Sequence, residues 1–172
     1  MVIWIIGLSG SGKTTTSKRL YSLIKPKIPN LVHVDGDLIR SIWQEDLGHS
    51  IEGRKKNSDR IVSICKFLDD QNIHVLCSVL SIFPDVQKNN RSLFSEYFQV
   101  FLDVPKYELL NRDPHGFYKK AELGQLKNFI GYDIPFPTPV DSNLTLKNTK
   151  QEHIAHNVDL IIQEARFKRF YI

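Results

Sequence analysis

The segment GLSGSGKT, from Gly7 to Thr14, has the residue types and spacing of a loop that binds phosphate. Its glycines let the backbone curl until several N–H groups face one anion, and a helix starting just after it adds its positive end. Lys13 then reaches the β- and γ-phosphates, and the Thr14 hydroxyl serves as a magnesium ligand. The loop implies a nucleoside triphosphate site with magnesium. Its candidate contacts are Gly7, Ser9, Gly10, Ser11, Gly12, Lys13, Thr14 and Thr15. Incidental glycine use is disfavoured by context, since an apolar run precedes the loop and a helical pattern follows it.

A second constellation is VDGDLIR, with Asp35 and Asp37 flanking Gly36 and Arg40 a helical turn later. One carboxylate can orient waters on magnesium and the other can accept the proton of an attacking hydroxyl. The bland alternative is an Asp-Gly turn with a helix N-cap at Asp37. Lys13, Asp35 and Asp37 are therefore the candidate catalytic residues, with the division of labour between the two aspartates open.

These residues need a frame. Apolar runs at Val2–Ile6, Leu31–Val34, His74–Leu80, Phe98–Leu102 and Leu144–Leu146 read as five strands. Helical patterns occupy Lys13–Ile24, Ile51–Asp70, Asp85–Tyr97, Lys106–Asn111 and Gln151–Lys168. Their alternation predicts an α/β fold, a five-stranded parallel sheet with helices on both faces. Ligands of such sheets gather beyond the carboxyl ends of the strands, where Gly7, Asp35, Ser81 and Asp103 fall. The stretch 111–139, rich in Gly, Pro, Lys and aromatics, breaks the alternation and reads as a mobile lid.

Composition narrows the classes. The 172 residues are 41% hydrophobic, enough for one soluble domain spanning 1–172. A formal charge of +4, from 23 basic and 19 acidic residues spread along the chain, suits a small anionic substrate better than nucleic acid. The apolar run at the N-terminus stops after five residues, too short for a signal peptide or a membrane span. Cys65 and Cys77, the two cysteines, read as reduced core thiols, and a cytoplasmic location is expected.

Further segments make the chain resemble the adenylyl-sulfate (APS) kinase family. They are GLSGSGKTT, VDGDLIR, DLGHSIEGRKKN from Asp46 to Asn57, and RDPHGFYKKAELGQLKNFIG from Arg112 to Gly131. The resemblance implies a P-loop kinase fold and ATP-dependent phosphorylation of the ribose 3′-hydroxyl of a small nucleotide acceptor, APS in most of the family. It places Asp37, Arg40, His49, Arg54, Asn57, Ser81, Lys119, Lys120 and Phe129 around the acceptor, and Arg112 with the ATP phosphates. Of the lid residues, Phe129 would stack on the acceptor base. Family members are commonly dimers, so a homodimer is implied too.

Departures from the family pattern sit on the acceptor side. His49 stands where the family has a base-stacking phenylalanine, and Ser81-Ile82-Phe83-Pro84 replaces Ser-Pro-Tyr-Arg. In the lid, His115 replaces lysine and Ile130 replaces threonine. Related kinases act on cytidine diphosphoramidate, whose smaller base His49 would suit, and this is the alternative acceptor. A catalytically decayed nucleotide-binding module is the alternative of another class, against which Lys13, Thr14, Asp35, Asp37 and Arg54 all persist. A GTPase or nucleic-acid ATPase lacks its motifs, and the basic, aromatic run Arg166–Tyr171 reads as the end of a helix.

Overall fold

The first strand, β1 (Val2–Ile6), is buried along its whole length, as a central strand of a parallel sheet covered on both faces must be. It lies between β3 (His74–Val79) and β4 (Tyr97–Asp103), with β2 (Leu31–Asp35) and β5 (Leu144–Lys147) at the edges, in the order β2-β3-β1-β4-β5. All four pairings are parallel. The computed structural model describes residues 1–44, 46–150 and 153–165.

Alternation along β1 splits the core in two. Ile3 and Ile5 pack with Leu20 and Ile24 of α1 (Lys13–Ile24) and with Val158 and Ile161 of α7 (His153–Glu164). Val2, Trp4 and Ile6 face the other way. They meet Ile39 of α2 (Gly36–Ile42), Ile61 and Cys65 of α3 (Ile51–Asp69), and Phe94, which follows α4 (Pro84–Leu93). Cys77 lies in the same cluster as Cys65.

The predicted α/β sheet with helices on both faces is thus the observed architecture. Four details differ. The helix expected over Asp85–Tyr97 stops at Leu93, because Phe94 turns extended to bury its ring and Tyr97 already belongs to β4. The helix α2 was not among those the periodicity marked, being too short for a clear pattern. Its N-cap is Asp35, not Asp37: the Asp35 side chain accepts from the N–H groups of Asp37 and Leu38. The lid is not all loop, since α5 (Lys106–Arg112) leads into α6 (Phe117–Glu122) and Ile130 bridges Ile134. Of the last predicted helix, positions 151–152 and 166–168 lie outside the described residues, as does the run Arg166–Tyr171.

The lid has a small core of its own. Val104, Leu109, Tyr118, Ala121 and Phe129 cluster with Leu8 of the phosphate loop. Helix α6 buries Tyr118 and Ala121, three residues apart on one face, and this turns Lys119 and Lys120 outward.

Helix α3 is capped by Ser50, whose Oγ accepts the Gly53 N–H at 3.1 Å. A Cβ on Gly53 would run into the backbone carbonyl of Leu47. Gly→Ala within a helix ordinarily stabilises by about 1 kcal/mol. Here Gly53→Ala is expected to lower the melting temperature, because the 46–50 turn has to move; a raised melting temperature by circular dichroism would contradict this close approach.

Candidate active site

A cavity of about 950 Å3 opens at the carboxyl ends of the central strands. Its floor is the phosphate loop. The loop is shaped by carbonyl anchors: the oxygens of four consecutive residues each accept a side-chain hydrogen bond. Lys13 Nζ donates to Leu8 O at 2.8 Å, Tyr118 Oη to Ser9 O at 3.2 Å, Arg112 Nη1 to Gly10 O at 3.2 Å and Asn148 Nδ2 to Ser11 O at 2.7 Å. In a planar trans peptide the C=O and the following N–H point in opposite directions, so tying these oxygens back turns amides the other way. Gly12, at φ 88°, opens α1 with no side chain capping the helix start. Among the described residues, the first N–H groups of α1 thus have no side-chain acceptor, which suits an anion.

Ser9, Gly10, Gly12, Lys13, Thr14 and Thr15 line this cavity. Gly7 and Ser11 do not; they lie beneath the loop, where a Cβ on Gly7 would crowd Ser11 Oγ and Leu102 O. Ser11 is completely buried. Burial of the Lys13 ammonium lowers its pKa from the usual lysine value to about 8, although Asp37 and Asp35 pull it upward.

Asp35 is heavily committed. Its Oδ2 accepts from Ser78 Oγ at 2.8 Å and Thr14 Oγ1 at 3.1 Å, and its Oδ1 from Asp37 N at 3.0 Å. Burial alone would raise its pKa, but these hydrogen bonds outweigh it and keep the carboxyl below its ordinary value. Asp37 differs. It lines the cavity, and its charge acts on both Lys13 and Arg54. It thus stands between the loop and the basic wall opposite.

That wall is built from α2 and α3. Arg40, buried, donates to Gly48 O; Arg54 donates to His49 O at 3.0 Å and to Asn128 O of the lid at 2.9 Å. The Arg54 pKa is lowered by burial and then by the Arg40 charge beside it. Two guanidiniums held together on carbonyl oxygens make a seat for an anion. His49 and Phe129 also line the cavity, and the Phe129 ring lies edge-on to Tyr118 with centroids 4.8 Å apart.

Other expected residues fall elsewhere. Asn57 and Ser81 line a smaller adjoining cavity of about 100 Å3, which shares Asp37, Arg40, His49 and Arg54 with the larger one. Asn57 Oδ1 is buried there with no hydrogen-bond partner among the described residues. Ser81 accepts from Trp4 Nε1 at 3.4 Å. Lys119 and Lys120 are exposed and line neither cavity; the lid lysine that does is Lys127. Arg112 lines the cavity with its guanidinium engaged by Glu108, Gly10 O and Asn148 O. Sequence reasoning missed Asn148 and Tyr118. Asn148 sits just past β5, at the strand-end rim where polar residues were expected from the other strands.

Lys13 gives a pH signature. A bound polyphosphate restores the charged form and raises its pKa, so affinity should be full below pH 8 and fall toward tenfold per pH unit above it. Without ligand the sign reverses: the folded state binds fewer protons than the unfolded chain between about pH 8 and 10.5, so this group adds stability as pH rises through that window. Calorimetric titration with ATP at pH 7 and pH 9 should show weaker binding and net proton uptake at pH 9; equal affinities would refute the assignment.

Comparison with known proteins agrees with the geometry. The family model for adenylylsulphate kinase matches residues 1–147. A cytidine diphosphoramidate kinase of Campylobacter jejuni subsp. jejuni serotype O:2 is 34% identical over 166 residues, covering 95% of each chain. An adenylyl-sulfate kinase of Marinobacter nauticus is 34% identical over 163 residues, covering 94% of this chain and 81% of its own. The Mycobacterium tuberculosis APS kinase, solved in complex with AMPPNP and APS, superposes with a TM-score of 0.86 at 28% identity, covering 96% of each chain. With the phosphate loop, the strand-end carboxylates and the paired arginines in one cavity, the chain belongs to the adenylylsulphate kinase family and is a phosphotransferase acting on a hydroxyl.

Proposed function

We propose that this kinase transfers the γ-phosphate of ATP to the ribose 3′-hydroxyl of adenylyl sulfate, with magnesium. The observation that carries this is the position of Asp37 in a cavity that runs unbroken from the phosphate loop to Arg40 and Arg54. At about 950 Å3 it is at the upper end of small-molecule sites, as two nucleotides bound together require. The reading gains support from the solved relative that holds AMPPNP and APS together.

In this scheme the acceptor oxygen attacks the γ-phosphorus while the bond to the β-bridging oxygen breaks, and ADP leaves. The hydroxyl proton passes to Asp37, whose carboxylate makes no hydrogen bond among the described residues. Asp35 is less suited to that task because hydrogen bonds from Ser78, Thr14 and the Asp37 N–H hold its carboxyl below the ordinary pKa and make it a weaker base. Lys13 neutralises the transferring group, and Arg40 with Arg54 holds the anionic tail of the acceptor. Catalysis is then mainly positioning and charge neutralisation.

Magnesium suits the donors present. Thr14 and Asp35 offer hard oxygens, and no group of three or more His, Cys, Asp or Glu among the described residues forms a metal cage. An ion held by one or two protein oxygens, with water and phosphate oxygens completing its shell, is the usual arrangement for magnesium. Held there, it would offset the charge of the phosphates. No described helix is long and apolar enough to cross a membrane, and use of ATP together with two core thiols fits a cytoplasmic enzyme. The family resemblance further supports one kinase domain over 1–172, acting as a homodimer.

A second acceptor, cytidine diphosphoramidate, is favoured by His49 on the cavity wall and by the Campylobacter relative that matches end to end. A side chain that hydrogen-bonds a base can reject analogues lacking the partner by large factors.

Phosphorus NMR of the purified protein with ATP, magnesium and each acceptor should reveal the new 3′-phosphate; product from neither would overturn both readings. Lys13→Ala should cut turnover by at least about 100-fold. His49→Phe should raise the ratio of APS to cytidine activity, and an unchanged ratio would remove His49 as a base selector.

A further inference from the structure

We propose that Asn148 is a positioning residue for the phosphate loop, with the direction of its amide set by Asn157. Asn148 is 1% exposed and Asn157, in α7, is 3% exposed. Asn148 Nδ2 donates to Ser11 O at 2.7 Å, while its Oδ1 accepts from Asn157 Nδ2 at 3.2 Å. Asn157 Nδ2 also donates to Lys147 O at 3.2 Å. Ser11 O and Lys147 O are carbonyls that can only accept, so neither amide can be reversed without losing its bonds.

The consequence for the loop is geometric. Holding the Ser11 oxygen on Asn148 directs the Gly12 N–H, at the other end of the same planar peptide, away from Asn148 and toward the cavity that Gly12 lines. The glycine is needed for the same contact: a Cβ at position 12 would strike Asn148 Nδ2. Asn148 also meets the lid, because its own carbonyl accepts from Arg112 Nη2 at 2.6 Å. One buried residue therefore ties the loop, the lid arginine and α7 together.

The test rests on the reading of the loop as the ATP seat and is arranged so that the two can fail separately. Asn157→Asp replaces a donor by an acceptor. The Asn148 amide should turn over to give its N–H to the new carboxylate, which leaves its oxygen facing Ser11 O. Calorimetry should then show ATP binding weakened about tenfold, with KM for ATP raised and KM for the acceptor unchanged. Asn157→Ala, which removes the donor without reversing polarity, should weaken ATP less. In an Asn148→Ala background, Asn157→Asp should add less than about twofold, since it acts through the missing amide.

A loss of melting temperature with unchanged ATP affinity, or fully additive effects in the double variant, would overturn the proposal. So would Asn157→Ala weakening ATP as much as Asn157→Asp. If Asn157→Asp fails to fold, the ATP affinities of Asn157→Ala and Asn148→Ala decide, and wild-type values in both would overturn it. Wild-type protein that does not bind ATP would overturn both this proposal and the reading of the loop.

Discussion

The constraint on which the rest depends is the confinement of positive charge where no protein carboxylate neutralises it fully. The Lys13 ammonium, half-buried at the cavity floor, falls to a pKa of about 8 through burial despite Asp37 and Asp35. Across the cavity, burial and then the Arg40 charge lower the Arg54 pKa, and the hydrogen bonds of both arginines end on carbonyl oxygens. Burying charges this way is unfavourable unless an anion arrives. The apolar faces of the sheet, with Trp4, Ile3 and Ile5 almost wholly enclosed, supply the stability that lets the site remain so unsatisfied.

The parts of this arrangement that follow from local chemistry were legible in the sequence. Strand β1 and helix α1 have the predicted limits, since a continuous apolar run, a glycine loop and a long helical pattern are signals the chain carries in itself. Asp35, Asp37 and Arg40 lie at the cavity as the spacing of their motif suggests, and Arg54 lies there as the family resemblance implies. Asn148 was not, because its importance lies in a contact with Ser11, 137 residues away in the chain. Lys119 and Lys120 were expected near the ligand, but the buried face of α6 is chosen by Tyr118 and Ala121, and that leaves the approach to Lys127. Short elements such as α2 carry too few turns to be heard above their capping residues.

The substitutions at the acceptor wall have a coherent physical setting. Pro84 begins α4, where its missing N–H costs nothing, and Phe83 lines the smaller cavity beside Asn57. The cation that the family pattern carries at position 84 is not replaced there by Lys55. Its ammonium lies over the Phe83 ring, 5.5 Å from the centroid, but is paired with Asp59 at 3.1 Å and Asp85 at 3.6 Å. On the proposed reading, the acceptor's charged tail would therefore be held by Arg40 and Arg54, and its base would meet His49 and the small cavity. Ile130, almost completely buried, keeps its place through its bridge to Ile134 and so serves the lid's packing.

The lid and the phosphate loop are one mechanical unit. Two of the four carbonyl anchors, Tyr118 on Ser9 O and Arg112 on Gly10 O, come from the lid, and Leu8 belongs to the lid's apolar cluster. A Cβ on Gly131 would press Leu8 Cδ2 at 2.9 Å, so the chain closes tightly over that side chain. Were the lid to open, two of the four anchors on the loop's carbonyls would be released. Such a link would favour transfer to a hydroxyl over water, because a phosphate seat completed by the lid would be complete when bulk water is excluded. Lys13 fits the same logic. In this structure its ammonium is held by Leu8 O, within reach of the two aspartates' charge, and a triphosphate in place of that carbonyl would give it a charged hydrogen-bond partner.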